Sequence, residues 1–280
     1  MPTLVESLAS RLADPEASAA SDALPNHVNE LGFDAWCFSP AQAKVLYTIG
    51  RKVYDYFRPI VKGAENVPAG RALIVANHGG QLPYDGVVIA VSCLLHCKPP
   101  RLVRPMVERY FPRVPFVNEL FARGGAVLGA PINCRNLLLD EQAILVFPEG
   151  ARGSGKVWKD RYRLVDFGRG FMRLALQTGT PIVPVSVVGS EESIVSIYDA
   201  KPLARLLGTP YFPISPLLPI LGPLAYVPLP TRFHVTFGAP LTFTGAFDDE
   251  DAANDEKVAI VHGTVQQMLD AGVAARESIF

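Results

Sequence analysis

Arg71-Ala-Leu-Ile-Val-Ala-Asn-His78 is a short apolar run that stops on two polar residues. A strand covered on both faces reads this way, apolar throughout instead of alternating, and such strands belong to parallel sheets flanked by helices. Residues that end such strands point into the crevice where α/β proteins bind their ligands. The same rhythm returns twice. Ala143-Ile-Leu-Val-Phe147 runs into Pro148-Glu149-Gly150, and Pro181-Ile-Val-Pro-Val-Ser-Val-Val188 runs into Gly189-Ser190-Glu191-Glu192. Between the runs, Gly86 to Cys97 and Gly170 to Thr178 read as helices, the former too short to cross a bilayer. The expectation is a single α/β domain with a mixed, largely parallel sheet flanked by helices.

Outward from this centre, Pro40 to Phe57 places Val45, Leu46, Ile49, Val53, Tyr54 and Phe57 at helical spacing. That face either packs on the domain or, with Tyr47, Tyr56, Lys44, Arg51, Lys52 and Arg58 beside it, lies on lipid. Residues 1–39, rich in Ala, Ser and Asp, read as a loosely held arm, so the fold gains a helical N-terminal extension over 1–60 and the main domain spans 61–280. Tyr211 to Pro230 has no charged residue and six prolines, which argues against a membrane-spanning helix. It is either an irregular lid or an apolar surface that meets acyl chains or a bilayer. Phe233 to Phe237 is strand-like, and Glu256 to Ala271 aligns Val258, Val261, Val265, Met268 and Leu269 on one helix face.

A net charge of -1 over 280 residues argues against a surface built for nucleic acid. The distribution is uneven: Arg152 to Arg173 is basic and Asp248 to Glu256 acidic, so the former is either an anion site or a solvated face. Four cysteines in apolar contexts, with no secretory leader at the start, read as reduced and buried. Cys93, His96 and Cys97 lack a second ligand pair for zinc.

Three strand ends should bring Asn77-His78, Glu149-Gly150 and Ser190-Glu191 to one crevice. Among the five histidines, His78 alone ends a buried strand and is followed by glycines that let a substrate approach. It is therefore either a general base or a satisfied structural histidine.

Asn77-His78 with Asp85, then Phe147-Pro148-Glu149-Gly150-Ala151-Arg152, then Pro181-Ile182-Val183-Pro184-Val185, resemble in order and spacing the motif blocks of the glycerolipid and lysophospholipid acyltransferases, the family of 1-acylglycerol-3-phosphate acyltransferase. The resemblance covers roughly Val61 to Pro240 and implies an O-acyltransferase. In that chemistry His78 takes the proton of an acceptor hydroxyl, which attacks a thioester carbonyl directly. Asp85 orients His78, or else only caps the following helix. The absence of a Gly-x-Ser-x-Gly elbow agrees with a route lacking an acyl-enzyme. Backbone amides of the Gly150 to Gly155 turn are suited to the oxyanion.

The resemblance further implies that Glu149 and Arg152 bind the acceptor, unless they form an ion pair that fixes the turn. Gly150 and Lys156 would help hold substrate phosphates, and Pro184 would shape the strand end near the acyl site. Two departures bear on the acceptor. Six residues, Gly79 to Tyr84, separate His78 from Asp85 where the family has four, similar to the monoacylglycerol and diacylglycerol acyltransferase-like branch. Gly124 to Gly129 matches the glycine part of a middle block, but no arginine stands at the expected place, and Arg135 is the nearest substitute. Both favour a neutral acceptor over a phosphorylated one. Gly150 to Lys156 also approaches a nucleotide phosphate loop, but Val157 supplies no hydroxyl for magnesium.

The reading implies an acyl-CoA or acyl carrier protein donor, a lipid or lysolipid acceptor, and a peripheral place on the cytoplasmic face of a membrane. No metal or bound cofactor is expected, and no nucleic acid. The alternatives are a noncatalytic lipid-binding protein of the same fold and an acyl-thioester hydrolase.

Overall fold

Every side chain of Ala72–Ala76 is buried, and this strand, β2, forms the middle of a seven-stranded sheet in the computed structural model. The structure describes residues 14–24, 27–108, 117–248 and 251–280. The other main strands are β1 (Ile60–Lys62), β3 (Val103–Val107), β4 (Val127–Leu128), β5 (Ala143–Val146), β6 (Ile182–Val188) and β9 (His234–Phe237), while β7 (Tyr198–Asp199) and β8 (Pro213–Ile214) pair separately. The sheet order is β1-β9-β6-β2-β5-β3-β4. β6, β2, β5, β3 and β4 run parallel; β9 returns antiparallel to β6 and carries β1 parallel to itself. A mixed, mostly parallel sheet flanked by helices is therefore what the apolar runs specify.

Alternation along β2 divides the core. Ala72, Ile74 and Ala76 face one side with Val183, Val185 and Val187 of β6, under α2 (Pro40–Phe57) and α3 (Tyr84–His96). Leu73 and Val75 face the other, under α5 (Pro131–Leu139), α7 (Gly170–Thr178) and α11 (Asp251–Ala275). Each fully buried Leu, Ile or Val on these faces contributes about 1.5–3 kcal/mol of transfer free energy. The central strands are thus held from both sides, and their C-terminal ends are fixed with them.

The periphery departs from expectation in two places. Within the arm, α1 (Pro15–Asp22) is capped by Asp14, whose carboxylate accepts from Ala17 N at 2.8 Å, and it buries Ala17 and Ser21. Asp22 pairs with Lys44 at 2.6 Å and Glu16 with Arg51, so this part of the arm is docked on α2. The reason is the small Ala and Ser face of α1, which allows close approach; residues 1–13 lie outside the described residues. The basic and acidic stretches meet each other: Arg169 binds Asp251 and Asp255, and Arg173 binds Asp251 at 2.7 Å. These exposed pairs neutralise part of the patch that looked available to anions. No helix among the described residues is long and apolar enough to cross a membrane.

Candidate active site

β2 ends at Ala76, and the next residue ties it down. Asn77 donates from Nδ2 to Val187 O at 3.0 Å and accepts from Val187 N at Oδ1 at 2.7 Å, so its amide replaces a ladder position between β2 and β6. His78 follows on a short, fixed lever.

Its backbone N–H donates to Glu149 Oε1 at 2.9 Å, and its Nδ1 pairs with Asp85 Oδ2 at 2.7 Å. Asp85 lies in the first turn of α3, not at its cap, which is Pro83. The Asp85 carboxylate is completely buried and also accepts from Gly79 N at 3.0 Å and Gly86 N at 2.7 Å. Three donors thus fix one carboxylate, and that carboxylate fixes the imidazole tautomer with the proton on Nδ1. Phe147 stacks on the ring, with centroids 4.2 Å apart. Nε2 has no hydrogen-bond partner among the described residues, and it is the nitrogen left to accept a proton. Burial lowers the His78 pKa, but the charges of Asp85, Glu149 and Glu108 and the Asp85 hydrogen bond outweigh it, so the net shift is upward from the ordinary histidine value.

The six-residue loop between His78 and Asp85 is pinned at its centre. Gln81, with φ of 66°, donates from its backbone to Ser154 O at 3.2 Å and from Nε2 to Lys156 O at 2.8 Å. Its carbonyl accepts from the Tyr211 hydroxyl at 2.6 Å. Gly79 and Gly80 are required here: a Cβ on Gly79 would lie 2.3 Å from Glu191 Cγ, and one on Gly80 would lie 2.4 Å from Ser190 O.

Glu149 has no oxygen to spare. Besides His78 N, it accepts from Val165 N at 2.9 Å and faces Lys156 Nζ at 3.2 Å through Oε2. Lys156 sits 2.9 Å from Glu191 as well, with a side chain only 6% exposed. Lys156, expected to help hold substrate phosphates, is the countercharge of these two carboxylates. Burial opposes its charge, yet the two glutamates prevail and raise its pKa. Burial raises the Glu191 carboxyl, against the pull of Lys156. Glu191 Oε2 also accepts from Tyr162 N at 2.7 Å, and the neighbouring Glu192 is clamped by Arg276.

Arg152 is exposed and not paired with Glu149; it donates to Asp166 O at 3.0 Å. Gly150, with φ of 59°, starts the turn before α6 (Ala151–Ser154). The amides of Gly150, Gly153, Gly155 and Lys156 are spent on backbone acceptors within this turn. Arg135, half-buried on α5, makes no hydrogen bond or ion pair to the His78 cluster among the described residues. Pro184 is the third residue of β6, beside Val75, and not the strand's end. His96 and Cys97 have structural partners, Tyr54 Oη at 2.7 Å and Ala64 O at 3.4 Å. Local patterns gave no sign of Gln81, Tyr162 or Tyr211 at the site.

At the C-terminal edge of a mostly parallel sheet, a half-buried histidine held by a wholly buried aspartate is an arrangement suited to moving a proton. Comparison with known proteins makes this specific. The Acyltransferase family model matches residues 58–188, and the chain belongs to that family. Uncharacterized proteins of Mycobacterium tuberculosis and Mycobacterium leprae are both 40% identical over 260 residues, 90% of this chain and 71% and 70% of theirs. A DGAT1/2-independent enzyme synthesizing storage lipids, from Gallus gallus, is 24% identical over 71% of this chain and 56% of its own. The crystal structure of the 1-acyl-sn-glycerophosphate (LPA) acyltransferase PlsC of Thermotoga maritima superposes with a TM-score of 0.55 at 18% identity, over 85% of this chain and 83% of that one. The fold is the PlsC fold, and acyl transfer is the activity of the family.

Proposed function

We propose that this chain moves a fatty acyl group from acyl-CoA or acyl carrier protein to a hydroxyl of a lysophospholipid, glycerolipid or related lipid, with His78 as general base. The observation that carries the proposal is the 2.7 Å pairing of His78 Nδ1 with a wholly buried Asp85, which leaves Nε2 as the basic nitrogen. Nε2 takes the proton of the acceptor hydroxyl as its oxygen forms a bond to the thioester carbonyl carbon. The tetrahedral intermediate then expels the thiolate, which recovers that proton from Nε2. The amides of Ala151 and Arg152, at the first turn of α6, are the turn's candidate donors to the oxyanion. Asp85 holds the tautomer; Glu149 and Lys156 position His78; Gly150, Arg152 and Arg135 remain as acceptor-side residues.

A place for the acyl chain fits this scheme. An apolar cavity of about 520 Å³ opens beside the ends of β3 and β4, lined by Phe33, Val107, Phe121, Ala122 and Leu128 among others. Val107 is followed by Glu108, whose carboxylate lies 3.3 Å from where a Cβ on Gly150 would stand. The long His78–Asp85 loop and the lack of a basic residue in the middle block favour a neutral acceptor, as does the kinship with a storage-lipid enzyme. The surface of action is a membrane, met peripherally from the cytoplasmic face.

Radiolabelled oleoyl-CoA, presented with monoacylglycerol, diacylglycerol, lysophosphatidate or no acceptor, tests the proposal. Acceptor-dependent acyl-lipid that disappears in His78→Ala is the expected result. Free fatty acid released at the same rate without acceptor would identify a thioester hydrolase instead.

A further inference from the structure

After β6 the chain does not return at once to the sheet. Residues 194–230 build a cap with its own ribbon, in which Tyr198 pairs with Ile214; α9 (Lys201–Leu207) lies between the two strands and α10 (Leu218–Leu221) follows them. The cap is well anchored. Tyr226 donates to Pro213 O at 2.7 Å, Leu229 N to Ser193 O at 2.7 Å, and Tyr56 of α2 to Pro228 O at 2.6 Å. A loose loop would turn its leucines inward; this cap does not. Leu206 is 81% exposed, Ile220 80% and Leu224 66%, with Leu207, Leu221 and Val227 exposed beside them in sequence.

Charge says what such a surface meets. From Ala200 to Phe247 there is no aspartate or glutamate, while Lys201 and Arg205 are exposed on the same helix as Leu206 and Leu207. Exposed Arg58, at the end of α2, reaches Pro230 O at 2.6 Å and extends the basic rim. The cap's one acid, Asp199, is half-buried and accepts from Phe212 N at 3.0 Å, so the exposed face presents apolar side chains with cations, which fits the interface of an anionic bilayer: the side chains enter the acyl region and the cations meet headgroups. A soluble protein partner would give no reason for the absence of acids over so long a stretch. The cap also touches the site, because Tyr211 holds the Gln81 carbonyl at 2.6 Å and its ring packs where a Cβ on Gly155 would be, 2.9 Å away.

We propose that the 194–230 cap is a membrane-docking surface for anionic bilayers, placing the His78 crevice at the lipid interface. This rests on the acyltransferase reading for its purpose, but not for its test. The full chain is floated with vesicles of phosphatidylglycerol and phosphatidylcholine in equal parts, and with phosphatidylcholine alone. Ile220→Glu with Leu224→Glu is expected to lower partitioning at least about tenfold, and Lys201→Gln with Arg205→Gln to lower it about threefold on the anionic vesicles only. Turnover of a short-chain, monomeric thioester and acceptor stays at the wild-type rate in both. Should the glutamate pair fail to fold, Leu221→Cys in a Cys37→Ser background, carrying an environment-sensitive fluorophore, shifts to shorter wavelength when anionic vesicles are added. The same label at Ile132→Cys on α5 stays unchanged. Unchanged flotation in the glutamate pair, or an unresponsive label at position 221, overturns the proposal. So does a dimer that dissociates in that variant while flotation persists, which would make the face an interface between copies. Loss of flotation in the variant when even the wild type transfers no acyl group would sustain the docking surface and remove the acyltransferase reading.

Discussion

Glu149 Oε1 accepts the backbone N–H of His78 at 2.9 Å, so the glutamate of the turn after β5 holds the main chain of the proposed base on β2. The other oxygen meets Val165 N and Lys156, and neither is exposed to a substrate. Glu149→Gln must turn an amide N–H₂ toward either His78 N–H or the Lys156 and Val165 donors. One buried donor is left unmet, at a cost of about 1–3 kcal/mol or more. The expected outcome is a lower midpoint in urea and, among molecules still folded, a fall in kcat with KM for acceptor nearly unchanged. A rise in KM alone would show that Glu149 binds acceptor.

The pH dependence follows from His78. Its pKa in the folded chain is raised, so the stability its protonation adds is fully present below the unfolded value of about 6.5 and is lost as pH rises through the folded value. Activity runs the opposite way, since a base works when neutral. The kcat/KM profile should therefore rise with a midpoint above about 6.5. Asp85→Asn removes the largest charge that raises it and shifts the midpoint down, while kcat falls at least roughly 100-fold through loss of the tautomer. A profile that does not move would remove Asp85 from the catalytic pair.

Lys156→Met leaves Glu149 and Glu191 buried without their shared cation. Breaking such a pair on one side costs about 3–5 kcal/mol. The sign with pH is fixed by Glu191, whose folded pKa is already raised by burial. A raised carboxyl favours the folded state at low pH and loses that advantage as pH increases through its folded value. The deficit of the variant should thus grow as pH rises above the ordinary carboxylate value of about 4.3, and Glu191→Gln added to it should recover part of the loss. Thermal melts across that range decide the matter.

Asn77→Ala takes away both partners of Val187 backbone groups that lie in the buried sheet. Two unmet groups predict about 2–4 kcal/mol of lost stability. Hydrogen exchange at Val187 should accelerate before that of Val183, where the ladder between β6 and β2 is intact.

The fold and the pairing of His78 with Asp85 were legible because both rest on local patterns. The apolar run of β2, the polar stop at Asn77-His78 and the turn at Pro148-Glu149-Gly150 each announce themselves within eight residues of sequence. The network behind them was not legible. Gln81 and Tyr211 stand 130 residues apart, and Arg276 and Glu192 stand 84 apart, so no periodicity connects them. The partners of Lys156 were hidden for the same reason: only the topology brings Glu191, arriving from β6, against its charge. The docked α1 depended on a second helix for its meaning, since a face of alanine and serine is apolar enough only when another surface comes close.

Tyr211 offers the finest separation of stability from function. Its hydroxyl donates to the Gln81 carbonyl at 2.6 Å and also interacts with the Ser154 side chain, and its ring covers Gly155. Tyr211→Phe keeps the ring and loses the bond, a change of about 1 kcal/mol. Gly155→Ala does the reverse: the added Cβ would lie 2.9 Å from the ring carbons and displace them, while Gly155 keeps its backbone bond to Ala151 O at 3.0 Å. Both variants release the centre of the His78–Asp85 loop from the cap without altering His78 or Asp85. If the loop shapes the acceptor side of the crevice, both should raise KM for the acceptor several-fold and leave the pH midpoint of kcat/KM in place. A shift in that midpoint would mean instead that the loop's closure sets the His78–Asp85 distance, and that the cap tunes the base itself.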